Sequence, residues 1–183
     1  MPDRRQTFEA LAMAHLDAAY NLARWLSRSP ADAEDSVQDA MMRAFSSFEQ
    51  VRGDDLRPWL MAIVRNCCRE RAARGYRRRE IPLPVRRGLG THEAGPELIY
   101  DGPDPETQAV SASEARRLRA MIDTLPEDFR EALILREMEQ LSYREIAEVV
   151  GAPIGTVMSR LARARTLLKA SWMADAKAGG GLS

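Results

Sequence analysis

Apolar residues return every three or four positions along most of this chain, and no segment alternates them as a strand would. Phe8, Leu11, Ala12, His15, Leu16, Ala19, Leu22, Ala23 and Leu26 step this way, which predicts a long amphipathic helix. Ser29, Pro30 and Asp32 then supply a cap, a first-turn proline and a capping acid for a second helix running to about Phe45. Val37, Met41, Ala44 and Phe45 form its apolar stripe, and Asp35, Gln38, Asp39 and Met42 fall on adjoining faces. The stretch "EQVRGDD" breaks the pattern around Gly53. A third helix is predicted from Pro58 to about Arg79, with Trp59, Leu60, Ile63, Val64 and Cys67 turned inward.

From Ile81 to about Ser113 the period disappears, and prolines stand at 82, 84, 96, 103 and 105 among several glycines. A structureless stretch of roughly 25–30 residues is unusual inside a compact fold and predicts a domain boundary. Leu118, Met121 and Ile122 then mark a helix, and Pro126 starts another with Phe129, Leu133 and Met138 inward. The tail "ADAKAGGGLS" is expected to fray. The expectation is an all-α chain of two small helical domains joined by a flexible linker. The first domain covers 1–80, the linker 81–113, the second domain 114–172, and a disordered tail 173–183.

The segment "LSYREIAEVVGAPIGTVMSRLARARTLL" carries the sharpest pattern. Ser142 and Glu145 stand three apart as a capping box, and Ile146, Ala147 and Val150 line one face. Gly151 ends that helix where a left-handed residue is needed, and Pro153 starts the next. In the next helix Ile154, Val157, Leu161, Ala164 and Leu168 are predicted to pack inward. Thr156, Ser159, Arg160 and Arg163 share another face. Hydroxyls and guanidiniums on one exposed stripe suit a DNA major groove, where Arg forks to guanine. The competing reading is a solvated face of a helical hairpin, and the cap, the break and the two registers together favour the helix-turn-helix.

Charge changes the picture only locally. Lys plus Arg and Asp plus Glu both number 27. Yet residues 29–55 hold two Arg against seven acids, net −5, and residues 57–79 hold eight Arg against one Glu, net +7. Local patches of this kind steer partners. The acidic helix repels DNA and is either a solvated face or a dock for a basic protein. Arg beside Trp59 suits single-stranded nucleic acid, whose backbone and unstacked bases are both available, while Trp59 by itself also suits a core. Cys67 and Cys68 are the only cysteines, and helical neighbours point about 100° apart, which does not suit a disulfide. They are expected to be buried and inert. His15 and His92 have no ligand spacing, so no metal and no cofactor is expected. No nucleophile–base pair and no glycine-rich phosphate loop is present, so no catalytic residue is expected. The longest apolar run is too short to span a membrane and the N-terminus has no signal-peptide core, which predicts a cytoplasmic chain without membrane insertion or a small-molecule substrate.

In this order "SPADAEDSVQDAMMRAFSSFE", "LRPWLMAIVRNCCRERAARGYRRR", a Pro/Gly linker and "LPEDFREALILREMEQLSYREIAEVVGAPIGTVMSRLARAR" resemble the extracytoplasmic-function sigma factors of the sigma-70 family. The resemblance implies a protein that binds core RNA polymerase and directs it to promoter DNA, held by an anti-sigma factor. It implies that Asp35, Gln38, Asp39 and Met42 dock on the polymerase. It implies that Arg52, Gly53 and Asp54, with Trp59, Asn66 and Arg69, meet the minus-ten element. It implies that Arg144, Thr156, Ser159, Arg160 and Arg163 meet the upstream, minus-thirty-five element. Ala62 and Met158 stand where the family usually carries basic residues. The rival function is a stand-alone helix-turn-helix regulator, which leaves the first lobe without a task.

Overall fold

The computed structural model describes residues 4–48, 56–79 and 105–179. Among the described residues the chain forms seven α-helices and no strand. They are α1 (Arg4–Leu26), α2 (Pro30–Ser47), α3 (Arg57–Arg79), α4 (Pro105–Asp123), α5 (Glu127–Glu137), α6 (Tyr143–Val150) and α7 (Ile154–Gly179). The loop 49–55 and most of the expected linker lie outside the described residues.

Two boundaries differ from the expected ones. Helix α4 begins at Pro105, inside the stretch assigned to the linker. Pro fits a helix's first position, and "ETQAVSASEA" is compatible with helix but lacks an apolar stripe, so periodicity does not reveal it. Helix α7 continues to Gly179, through residues 173–179 expected as a disordered tail. The alanines of "MADAKA" carry high helix propensity, which needs no packing partner to show itself.

Side chains satisfy two of the helix ends. Ser29 caps α2, its Oγ accepting from the Asp32 amide at 3.1 Å, with Pro30 in the first turn. Arg130 Nη2 donates to the carbonyls of Asp123 and Leu125 at 2.7 and 3.0 Å, satisfying oxygens exposed where α4 ends.

Helices α1, α2 and α3 pack as one layered group. Phe8 meets Phe45 and Phe48 edge-on at 5.3 and 5.4 Å between ring centroids. Arg71 on α3 ties Asp35 and Asp39 of α2 at 3.0 Å each, and Arg43 forks to Glu70 at 2.8 Å. Helices α5, α6 and α7 form the second group, with α4 laid along α7.

The lobes are not apart. Leu22, Met61 and Val64 of the first group share one apolar core with Ile134, Leu135, Leu141 and Ile146 of the second. The two groups expected on either side of the linker thus meet in the structure. Closing a longer loop adds only about 0.6 kcal/mol per doubling of its length. Burial of apolar surface returns roughly 25 cal/mol per Å², so a shared core readily outweighs the loop. Met138 and Ile154, expected inward, are 44% and 45% exposed. Met138 sits past the last buried turn of α5, and Ile154 opens α7 before that helix reaches its neighbours.

Candidate nucleic-acid interface

The turn between α6 and α7 is built by local chemistry. Ser142 Oγ accepts from the Glu145 amide at 3.2 Å, and Glu145 Oε2 accepts from the Ser142 amide at 2.6 Å. This reciprocal cap is worth on the order of 1 kcal/mol. Gly151 has φ +66°, the left-handed region, and its amide reaches back to the Ala147 carbonyl. Pro153 follows, and its carbonyl accepts from the amides of Thr156 and Val157. Val157, Leu161 and Ala164 are buried. That burial fixes the rotation of α7 and decides which residues face out.

Ser159 and Arg163 are exposed on the side opposite that stripe. Arg163 makes no ion pair or hydrogen bond among the described residues. Met158 is 52% exposed beside them. Thr156 is half-buried at the first turn. Arg144 projects from α6 with only a 3.5 Å approach to Glu148. Arg160 is placed differently. It turns to the shoulder of α7 and donates to Asp128 Oδ2 of α5 at 2.7 Å.

On α3, Asn66 is exposed and its Oδ1 accepts from Arg65 at 3.3 Å. Trp59 is half-buried and lines a small apolar depression with Phe8, His15, Phe48 and Leu60, so it serves the core on one side. Arg69 donates to Glu127 Oε1 at 3.0 Å and to Asp128 Oδ1 at 2.8 Å, and lies 2.9 Å from Glu131 Oε1. Arg52, Gly53 and Asp54 lie outside the described residues. On α2, Gln38 and Met42 are exposed, whereas Asp35 and Asp39 share Arg71.

Sequence reasoning passed over the acids of α5 and its following turn. Glu131 is 1% exposed and pairs with buried Arg65 at 2.8 Å. Burial pushes its carboxyl above the usual range, and Arg65 opposes that. Glu139, also buried, receives Arg57 at 3.1 Å on its carboxylate and 2.8 Å on its carbonyl. A signal was present: residues 127–139 hold five acids against two Arg, facing a helix with the opposite excess. At the other edge Arg119 stacks 3.9 Å above the Trp25 ring and donates to the Arg24 carbonyl.

Cys67 and Cys68 are buried, and burial pushes both thiols up. No metal-ligand cluster occurs among the described residues, and none of their helices is long and apolar enough to cross a membrane.

Residues 11–79 match the family model for sigma-70 region 2, and residues 115–168 match the one for sigma-70 region 4. The chain is 34% identical over 149 residues to an ECF RNA polymerase sigma-E factor of Haemophilus influenzae, covering 81% of this chain and 77% of that protein. It is 32% identical over 163 residues to the ECF RNA polymerase sigma factor SigE of Mycolicibacterium smegmatis, covering 89% of this chain but 60% of that protein's length. The fold matches the sigma factor RpoE of Bartonella quintana, solved in complex with the anti-sigma factor NepR, with a TM-score of 0.70 and 28% identity. That match covers 92% of this chain and 98% of the other.

Proposed function

This chain belongs to the extracytoplasmic-function sigma factors of the sigma-70 family, and from that premise we propose how it works. It is a cytoplasmic adaptor rather than an enzyme. It docks on core RNA polymerase, reads a two-part promoter and helps open it, and an anti-sigma factor holds it between rounds of use. The upstream element meets α7 through Ser159 and Arg163, with Arg144 and Thr156 flanking and Arg160 joining once it leaves Asp128. The minus-ten element meets Arg52, Gly53, Asp54, Trp59, Asn66 and Arg69. The observation that carries the reading is the exposed Ser159–Arg163 face, held outward by the buried Val157–Leu161–Ala164 stripe. A guanidinium without an internal partner on a rigid helix is the donor that a guanine edge requires.

The test is run-off transcription from a promoter carrying both elements, with core polymerase alone, with this chain, and with this chain lacking Arg163. Transcript only when the chain is present supports the reading. Tight promoter binding by the free chain, with no transcript in the presence of core, supports a stand-alone regulator instead.

The polymerase dock is Asp35, Gln38, Asp39 and Met42 on α2. Because Arg71 already holds both acids, the chain offers that surface as a paired cluster rather than two bare carboxylates. Asp35→Asn with Asp39→Asn should weaken holoenzyme assembly about tenfold, or roughly 1.4 kcal/mol, at unchanged helical content. Unaltered assembly in a pull-down of core polymerase returns α2 to an ordinary solvated face.

A further inference from the structure

We infer that the corner where α1 ends beside the α4–α5 turn is an oxyanion site, at which Arg24, Arg119 and Arg130 take one phosphate group. Arg24 stands in the last turn of α1, Arg119 one turn before the end of α4, and Arg130 near the start of α5. Arg119 Nη2 donates to the Arg24 carbonyl at 2.8 Å, and its guanidinium lies 3.9 Å above the Trp25 ring. Arg130 Nη2 donates to the carbonyls of Asp123 and Leu125. Trp25 packs against the buried cluster of Ile122, Leu125 and Leu133, which draws the three elements together.

What marks the corner is donors without acceptors. Arg24 is 5% exposed, and its side chain makes no hydrogen bond or ion pair among the described residues. A desolvated guanidinium with nothing to accept from it is costly, and it carries five N–H donors. The carbonyls of Arg24, Asp123 and Leu125 are already engaged by Arg119 and Arg130. The Nε of Arg130 is also buried without a partner. Asp123 is the carboxylate in reach, 3.7 Å from Arg119 Nε. Burial lowers the Arg119 guanidinium below its ordinary value; Asp123 opposes this, and the charges of Arg24 and Arg130 add to it.

Three guanidiniums against one carboxylate leave an excess of positive charge that a phosphate dianion neutralises. Its tetrahedral oxygens accept from several planar forks at once, which a chloride ion does not offer. The Trp25 stack and the Arg24 carbonyl fix the Arg119 plane in advance, so little ordering remains to be done on binding. The same chemistry fits inorganic phosphate and the terminal phosphate of a nucleotide.

The experiment is isothermal titration calorimetry of the full chain with inorganic phosphate, at an ionic strength held constant with KCl. Saturable binding at one site per chain is expected. Arg24→Met should weaken it about tenfold or more, the scale of a lost charge-assisted hydrogen bond. Arg165→Met, which removes an arginine from an exposed pair on α7, should leave phosphate affinity unchanged. A parallel titration with ADP separates the sources. Binding tighter than that of inorganic phosphate, and lost in Arg24→Met, assigns the site to a nucleotide; weaker binding assigns it to the free ion. No saturable binding of either probe, or equal binding by the unmodified chain and Arg24→Met, overturns the inference. Should Arg24→Met fail to fold, Asp123→Asn tests the site in the opposite direction. It removes the carboxylate that competes for Arg119 and should tighten phosphate binding about threefold; no gain there overturns the inference equally.

Discussion

Helices α3 and α7 are both arginine-bearing and both proposed to meet DNA, yet they differ in which arginines they leave facing out. On α3, Arg57, Arg65 and Arg69 are held by carboxylates of the other lobe, and Arg71 by carboxylates of α2. On α7 the buried Val157–Leu161–Ala164 stripe presses one side inward and leaves Ser159 and Arg163 outside. The first helix carries a net charge near its maximum in the sequence and spends much of it internally. The second carries less: Arg160 and Arg165 are also held, by Asp128 and Glu137 of α5, and Arg163 is left facing out. Charge density along a chain and charge available to a partner are separate quantities, and the difference is made by what the helix packs against.

The contrast breaks hardest at the buried pair. Glu131→Ala leaves Arg65 buried with Asn66 Oδ1 at 3.3 Å as its remaining acceptor. The expected loss of unfolding free energy is about 3–5 kcal/mol, the range for stripping one partner from a buried pair, read by urea denaturation. A loss below about 0.5 kcal/mol, which is ordinary for a surface substitution, means that α3 is not held as described.

A finer test separates two arginines of the same helix. Arg163→Ala should leave stability within about 0.5 kcal/mol and weaken the upstream contact by about 1–3 kcal/mol with relaxed preference at one base. Arg160→Ala should instead lower stability by about 0.2–1 kcal/mol through its lost pair with Asp128 and disturb base preference less. The measurement is holoenzyme transcription from promoters varied base by base at the upstream element. Equal loss of preference in both variants erases the distinction between the face and the shoulder of α7.

The smallest expected signal lies in the cysteines of α3. Burial raises both thiols above their ordinary value. A raised thiol holds its proton to higher pH, so thiolate is scarcer at neutral pH in the folded chain than in the unfolded one. Labelling by a thiol-disulfide reagent should therefore be slow in the native protein and rise to the unfolded rate in denaturant. The linkage has a sign as well: folding favours the protonated thiols, so their contribution is present below the ordinary thiol range and fades as pH climbs through it. Fast native labelling contradicts the packing of Cys67 and Cys68.

The sequence determined whatever depends on neighbours a few residues away. The helix periods, the Ser29 and Ser142 caps, the left-handed Gly151 and the inward stripe of α7 follow from local spacing and local hydrogen bonds. The family resemblance also lay within contiguous motifs. Tertiary structure decided everything that pairs residues across the linker. Arg65 and Glu131 are 66 positions apart and Arg69 and Asp128 are 59 apart, and no spacing rule links them. The start of α4 and the extension of α7 escaped periodicity because those turns show no apolar stripe. Arg160 left the face shared by its neighbours because a carboxylate from another helix stood within reach of its shoulder. A helical period specifies an angle around one axis, whereas an ion pair between helices depends on where two axes come to lie, and the shared apolar core sets that.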